Sequence, residues 1–433
     1  MPSPRMRLPC LAAVLCALAP TAHAAPDPAV AGYVFGEARR LCEADGGALW
    51  GRSLCGPIMI VDPADRAIVA SEADAGGVLV EADGLYTGTL PREAMLANTA
   101  TGWSGTRWTQ LVWPLPLEPN LLRAMLVHEL FHRVQPELGL DRPEAGNRHL
   151  DSQHGRYLLQ LEWRALARAL MADDAAVQRA HVADALAFRQ ARRRLFPAAA
   201  REEAALEINE GLAEYTGVRV ALARDEERRA YGVYALARFL DAPSFVRSFA
   251  YASGPAYGLL LDRADPGWRG RLGADADLGR MLATASHIDL DATPDLAARE
   301  RRYDPDRQLH AAEEARERQR LERLAAWRRD LVDGPVLMLP LQASGFQFNP
   351  QTLAALDDVG TVYPTLRLTD RWGELVVEGG AALVHADRKR AVVALPRGGD
   401  GLHGEGWTLA LKPGWKLVEG PRKGDLTVTG PAR

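Results

Sequence analysis

Leu121-Leu122-Arg123-Ala124-Met125-Leu126-Val127-His128-Glu129-Leu130-Phe131-His132-Arg133-Val134 is the stretch on which the reading turns. Leu121, Leu122, Met125, Leu126, Leu130 and Val134 recur at helical spacing and predict a buried stripe. Glu118-Pro119-Asn120 opens this helix with Pro near its first turn, and Pro136 ends it. Residues four apart share a helix face, so His128 and His132 can grip one metal ion. Glu129 between them can polarise a water on that metal. An HExxH motif in this setting is the core of a zinc hydrolase site.

Two histidines under-coordinate zinc, because a catalytic site takes three protein ligands and a water. Glu207-Ile208-Asn209-Glu210-Gly211-Leu212-Ala213-Glu214-Tyr215 supplies the candidate third ligand, Glu210. It reads as a helix with Glu210 and Glu214 one turn apart. Small Gly211 and Ala213 would let it approach the motif helix. Glu214 is placed to accept a hydrogen bond from the free ring nitrogen of a metal-bound His. Glu207, one turn upstream, is the rival ligand. Glu202 and Glu203 read as charges on a solvated first turn.

HExxH followed by Asn-Glu-Gly-x-Ala resembles the gluzincin metallopeptidases, the group of thermolysin and the aminopeptidase-N type. The resemblance implies a zincin-like domain, with His128, His132 and Glu210 as zinc ligands, Glu129 as general base and Glu214 orienting a zinc-bound His. Seventy-seven residues separate His132 from Glu210, far more than in the best-known members, so an inserted helical segment and a separate branch are implied. Downstream, Tyr251 and Gly254 are similar to the Tyr-x-x-Gly of the aminopeptidase-N type, with Ser253 where a Lys is usual. That implies Tyr251 as hydrogen-bond donor to the oxyanion, with Tyr257 as a competitor. The Gly-rich stretch from Phe249 to Gly258 suggests a turn leading into a helix.

The remaining organisation is α+β. With 433 residues, 47% hydrophobic and 25% charged, the chain has ordinary globular composition and room for two or three domains. Residues 1–24 read as a signal peptide: Arg5 and Arg7, the apolar run Leu8 to Leu18, then Ala22-His23-Ala24. Cys42 and Cys55 remain and predict one disulfide. Residues 25–117 read as a β-rich subdomain. It has a short helix from Val34 to Leu41 and strands at Ala48 to Asp62, Ala67 to Ala70, Gly77 to Glu81 and Arg107 to Trp113. By the resemblance, Trp108 to Trp113 or Thr101 to Thr106 is the edge that pairs with substrate. Residues 118–303 form the helical catalytic subdomain, with 147–200 as its helical insertion. Within the insertion, Arg192-Arg193-Arg194 reads as a solvated charge run. Residues 304–333 form a charged, solvent-laced linker helix. Residues 334–433 form a small all-β domain whose strands are separated by glycine pairs such as Gly379-Gly380.

These features predict an exported zinc metallopeptidase, bacterial, periplasmic or secreted, with one Zn²⁺ per chain and a peptide or protein substrate. The alternative is a non-catalytic zincin-like scaffold that binds an envelope partner. A net charge of −4 speaks against nucleic acid, and no internal run is long enough to span a bilayer after the signal is removed.

Overall fold

A computed structural model of the chain describes residues 26–142, 146–273, 275–292, 295–349, 352–356, 358–396 and 398–431. The expected signal peptide lies outside the described residues. The fold is mixed α+β with two mixed sheets, and no helix among the described residues is long and apolar enough to cross a membrane.

The chain starts with α1 (Pro28–Asp45), capped by Asp27 and closed by Gly46 in the left-handed conformation. It is longer than the helix expected from Val34 to Leu41. A disulfide joins Cys42 to Cys55, whose Cα atoms are 5.2 Å apart. The first sheet comprises β1 (Ile58–Val61), β2 (Ala67–Ala70), β3 (Val80–Ala82), β4 (Leu85–Thr89), β5 (Thr99–Trp103) and β6 (Thr106–Val112). Its order is β3-β4-β2-β1-β6-β5, with β1 and β6 parallel and the other pairs antiparallel. The expected strand from Ala48 to Asp62 contracts to β1, because Gly46, Gly47 and Gly51 take positive φ and turn the chain first. Both faces of β1 are covered. Ile58 and Ile60 enter the large core shared with the helices, while Met59 and Val61 join a smaller cluster with Ile68 and Trp108. Of the two candidate edges, Trp108 to Val112 lies inside the sheet in β6, whereas Thr101 to Trp103 belongs to the edge strand β5.

The helical half contains α2 (Pro119–Val134), α3 (Gln153–Met171), α4 (Ala175–Leu195), α5 (Ala199–Leu206), α6 (Leu212–Ala221), α7 (Asp225–Arg238), α8 (Phe245–Ala264), α9 (Leu278–Ala285) and α10 (Leu296–Tyr303). Helix α2 carries the HExxH motif and packs against both the sheet and α6, which is why Leu126 through Phe131 are all buried. Residues expected to be solvated lie inside this half. Arg192 and Glu203 are fully buried and paired, Nε to Oε1, at 2.6 Å, and Arg192 Nη1 meets Glu162 at 2.7 Å. Arg193 is partly buried on Glu203 and Asp277, and Arg194 alone of the run is exposed. The run from Phe249 to Gly258 is not a turn. It is the interior of α8, which tolerates Pro255.

Helix α11 (Gln308–Arg328) leads to the second sheet. One side of it is buried rather than solvent-laced: Leu309 joins the helical core, and Glu313 pairs with the buried Arg156 of α3. The C-terminal strands are β7 (Val336–Pro340), β8 (Gly345–Phe348), β9 (Ala354–Leu356), β10 (Gly360–Asp370), β11 (Gly373–His385), β12 (Arg390–Ala394), β13 (His403–Gly404), β14 (Trp407–Leu411), β15 (Lys416–Glu419) and β16 (Leu426–Thr429). Gly379-Gly380 does not separate strands. It lies within β11 where the register with β10 shifts, and Gly379 has φ 77°. The resulting bend lets the start of β11 pair with β14 and its end with β12.

Candidate metal centre

Helix α2 begins as its sequence suggests, with the Glu118 side chain accepting from the Leu121 N–H at 2.6 Å and Pro119 in the first turn. After Val134 it tightens into a short 3₁₀ turn, Gln135–Leu138, containing Pro136. That turn places the buried Gln135 side chain on the same face as His132, three residues earlier.

The ring nitrogens of the two histidines have assignable roles. Gln135 Nε2 donates to the carbonyls of Leu140, Ile208 and Asn209 at 3.2, 3.1 and 2.9 Å. Its Oε1 is therefore the atom facing His132 Nδ1, at 2.8 Å, and can only accept. His132 thus carries its proton on Nδ1. His128 Nδ1 lies 2.9 Å from Glu214 Oε2, another acceptor, and carries a proton by the same logic. Both Nε2 atoms are therefore the positions left for a metal ion or a further proton, and they lie 3.1 Å apart. Glu210 Oε2 completes the triangle at 3.6 Å from His128 Nε2 and 3.4 Å from His132 Nε2. Ligand atoms about 2.0–2.1 Å from a tetrahedral zinc lie about 3.3–3.4 Å apart, so this donor set fits that ion. Three converging acceptors also repel one another unless a cation lies among them.

The surrounding carboxylates favour positive charge at this point, as a proton or as a metal ion. Burial alone would lower the His128 pKa, but Glu129, Glu210 and Glu214 outweigh it and push it well above the usual range. Glu210 is buried, yet hydrogen bonds and charge from His128 and His132 hold its carboxyl below the usual range. Glu129 shows the opposite balance: burial raises its pKa despite the two histidines, and its Oε2 has no hydrogen-bond partner. A buried, under-bonded carboxylate beside these donors is poised to take a proton. His128, Glu129 and His132 together offer ligand atoms all within 4.8 Å of one another.

The third donor is aimed by an unusual piece of helix. Between α5 and α6 the chain widens into a π-turn, Glu207–Gly211, in which the Leu212 N–H bonds to the Glu207 carbonyl. The widened turn directs Glu207 and Glu210 to different surroundings. Glu207 makes a fork with Arg189, Oε1 to Nη1 at 2.8 Å, and is thereby withdrawn from any ligand role. Glu210 faces the histidines. Gly211 packs against α8 rather than α2. A Cβ on Gly254 would lie 2.3 Å from the Gly211 Cα, so Gly254 must be glycine for the helices to touch, whereas a Cβ on Gly211 would lie 3.2 Å from the Ala250 carbonyl oxygen and the Gly254 Cα. The close approach of α6 to α2 is made at Gly217, where a Cβ would lie 2.4 Å from the Ala124 carbonyl oxygen.

Tyr251, on α8 one turn before Gly254, donates to Glu210 Oε2 at 2.8 Å, and its ring lies parallel to that of His128 with centroids 5.6 Å apart. Burial and the Glu210 charge push the phenol pKa well up, so it remains a donor at neutral pH. Tyr257 is directed elsewhere, donating to Glu162 at 2.7 Å in the buried charge cluster. Glu214 is held from behind by Arg238 at 2.8 Å. Gln135 and Arg238 escape the sequence reading. Gln135 had a signal in its i+3 spacing from His132; Arg238 had none, since only the tertiary packing of α7 brings it in. No family model matches the chain, and neither the curated proteins nor the solved structures contain a match to it.

Proposed function

We propose that the protein is a zinc-dependent metallopeptidase of the zincin type, with one Zn²⁺ held by His128, His132 and Glu210. The observation that carries this is the pair of Nε2 atoms 3.1 Å apart, each on a ring whose Nδ1 faces a side-chain acceptor, with a buried carboxylate oxygen facing both. Zinc in such a site supplies Lewis acidity, lowering the pKa of a water and polarising a carbonyl.

The chain's own residues do the rest. Glu129 takes the proton of the attacking water at its carboxylate and returns it to the departing nitrogen. Tyr251 would turn to the substrate oxygen the O–H that it gives to Glu210 here, as negative charge develops on that oxygen. Glu214 and Gln135 keep both imidazoles in the tautomer that presents Nε2. A peptide is the fitting substrate because the edge strand β5 borders the same cleft as His128, Glu129 and His132, and an unpaired strand edge recognises an extended main chain. Export is proposed on the N-terminal pattern and on the Cys42–Cys55 bond, which persists in oxidising compartments.

The test is metal analysis beside peptide digestion. Wild type and Glu129→Gln should each bind one zinc, and only wild type should cleave. A Glu129→Gln variant with full activity would refute the mechanism.

A further inference from the structure

We propose that the cleft between the helical half and the C-terminal sheet binds an extended acidic polypeptide, and that the C-terminal sheet supplies one wall of that site. The scissile bond in this picture rests on the peptidase reading, but the binding does not.

The cleft has a volume of about 2830 Å³ and is lined from both halves of the chain. Sites for single small ligands occupy roughly 300–1000 Å³, so this one is dimensioned for a polymer. Its lining includes His128, Glu129, His132, Glu210 and Tyr251, residues of α11, and residues of β8 to β11 from the second sheet.

The charge of the lining runs against that of the molecule. The chain carries a net −4, yet eleven arginines and seven carboxylates line the cleft, and two of those carboxylates are Glu129 and Glu210. Some of the arginines are already paired: Arg156 with Glu313 and Arg367 with Glu374. Five others, Arg92, Arg107, Arg148, Arg323 and Arg388, are exposed, and none has a carboxylate within 4.0 Å among the described residues. They come from the first sheet, the segment after α2, α11 and the second sheet, so they converge on the cleft from separate parts of the chain. A guanidinium takes a carboxylate in a two-pronged hydrogen bond, which makes acidic side chains the complementary groups.

The second sheet adds an apolar ledge. Phe346 and Phe348 are 36% and 40% exposed and stand two apart on β8. Tyr363 packs between them, with centroids 6.2 and 5.2 Å away. Met95, 62% exposed, lines the cleft beside β5. Exposed aromatics grouped in a cleft are anchor sites for apolar side chains. Both β5 and β8 are edge strands, with main-chain groups free to pair. Main-chain pairing, apolar anchors and spaced arginines together describe a polypeptide with intermittent acidic residues. A nucleic acid, with charge on every unit, would also meet Asp65, Glu93 and Asp141 in the lining.

The experiment uses full-length Glu129→Gln protein and fluorescent peptides of matched length: acidic with one aromatic, neutral with one aromatic, and lysine-rich, beside a single-stranded oligonucleotide. Anisotropy should show the acidic peptide binding about tenfold tighter than the neutral one, with the preference falling as salt rises. The double variants Arg148→Gln/Arg388→Gln and Phe346→Ser/Phe348→Ser should each weaken that binding by about tenfold. All four side chains are exposed, and unchanged circular dichroism will confirm the fold. Equal affinity for neutral and acidic peptides, tighter binding of the oligonucleotide, or indifference to both double variants would overturn the inference. Wild-type protein separates the two levels. Selective binding of the acidic peptide without cleavage supports the cleft and refutes the peptidase. Equal cleavage of neutral and acidic peptides, unaffected by the variants, does the reverse.

Discussion

Gly254→Ala adds one methyl group, and the structure specifies what that methyl meets. The new Cβ would lie 2.3 Å from both the Cα and the carbonyl oxygen of Gly211 and 2.5 Å from its carbonyl carbon. Carbon atoms settle about 3.5–4.0 Å apart, so the two backbones must separate by more than about 1 Å. No side chain can rotate away, because every atom in the contact is main chain. Ala is the better helix former by about 1 kcal/mol, and overpacking against main chain costs about 3 kcal/mol at the upper end of its usual range, so we expect a net loss of about 2 kcal/mol. The separation falls between Glu210 and Tyr251, each within three residues of the contact. An error of about 1 Å in such a site costs on the order of a hundredfold in rate. The control is Gly32→Ala on α1, where a Cβ meets nothing within 4 Å, and there the substitution should stabilise by about 0.5–1 kcal/mol. Urea unfolding followed by circular dichroism, with zinc affinity measured by chelator competition, reads both effects. If Gly254→Ala unfolds at the wild-type midpoint and binds zinc as wild type does, the close crossing of α8 on the π-turn is wrong.

Gln135→Leu removes the acceptor for the His132 Nδ1 proton and strands three carbonyls, so zinc affinity should fall by about 10–100-fold. Acid stability should depend on Glu203. Burial pushes its pKa up, but Arg192 and His149 overcome this and hold it well below the usual range. A depressed folded value contributes stability that is fully present above the unfolded pKa of about 4.3 and is lost as pH falls through the folded value. Arg192→Met should therefore cost up to about 3 kcal/mol at neutral pH by leaving Glu203 to Arg193 and His149 and Glu162 to Arg189, and should weaken that acid dependence in pH-titrated unfolding. Reduction of the Cys42–Cys55 bond, or its replacement by two serines, should lower stability by about 2–4 kcal/mol in urea melts with and without reductant.

What the sequence makes legible and what it hides divide along physical lines. The HExxH helix is legible because its signals are local: an opening Pro119, a closing Pro136 and an apolar stripe between them. The helices within 147–200 and the later strands are legible for the same reason, through their 3.6 and near-2 periodicities. The charges mislead. Arg192 and Glu203 have the look of a solvated surface because a one-dimensional pattern does not show that Glu162 arrives from α3 to meet Arg192, nor that Arg192 and Arg193 of α4 meet Glu203 of α5. Gly211 is read correctly as a point of close approach but assigned to the wrong partner, since only tertiary packing distinguishes α8 from α2. Gly379-Gly380 is ambiguous for a related reason: a glycine pair ends a strand or bends one, and the neighbouring β14 and β12 decide which. The π-turn leaves no pattern at all, yet it separates Glu207 from Glu210.

The central claim is that His128, His132 and Glu210 hold one zinc. Elemental analysis of purified wild-type protein, His128→Ala and Glu210→Gln tests it most directly. Wild type should carry one zinc per chain, lost or strongly weakened in both variants. Wild-type protein that takes up no metal from supplied zinc would contradict it, and full retention in Glu210→Gln would remove Glu210 from the ligand set.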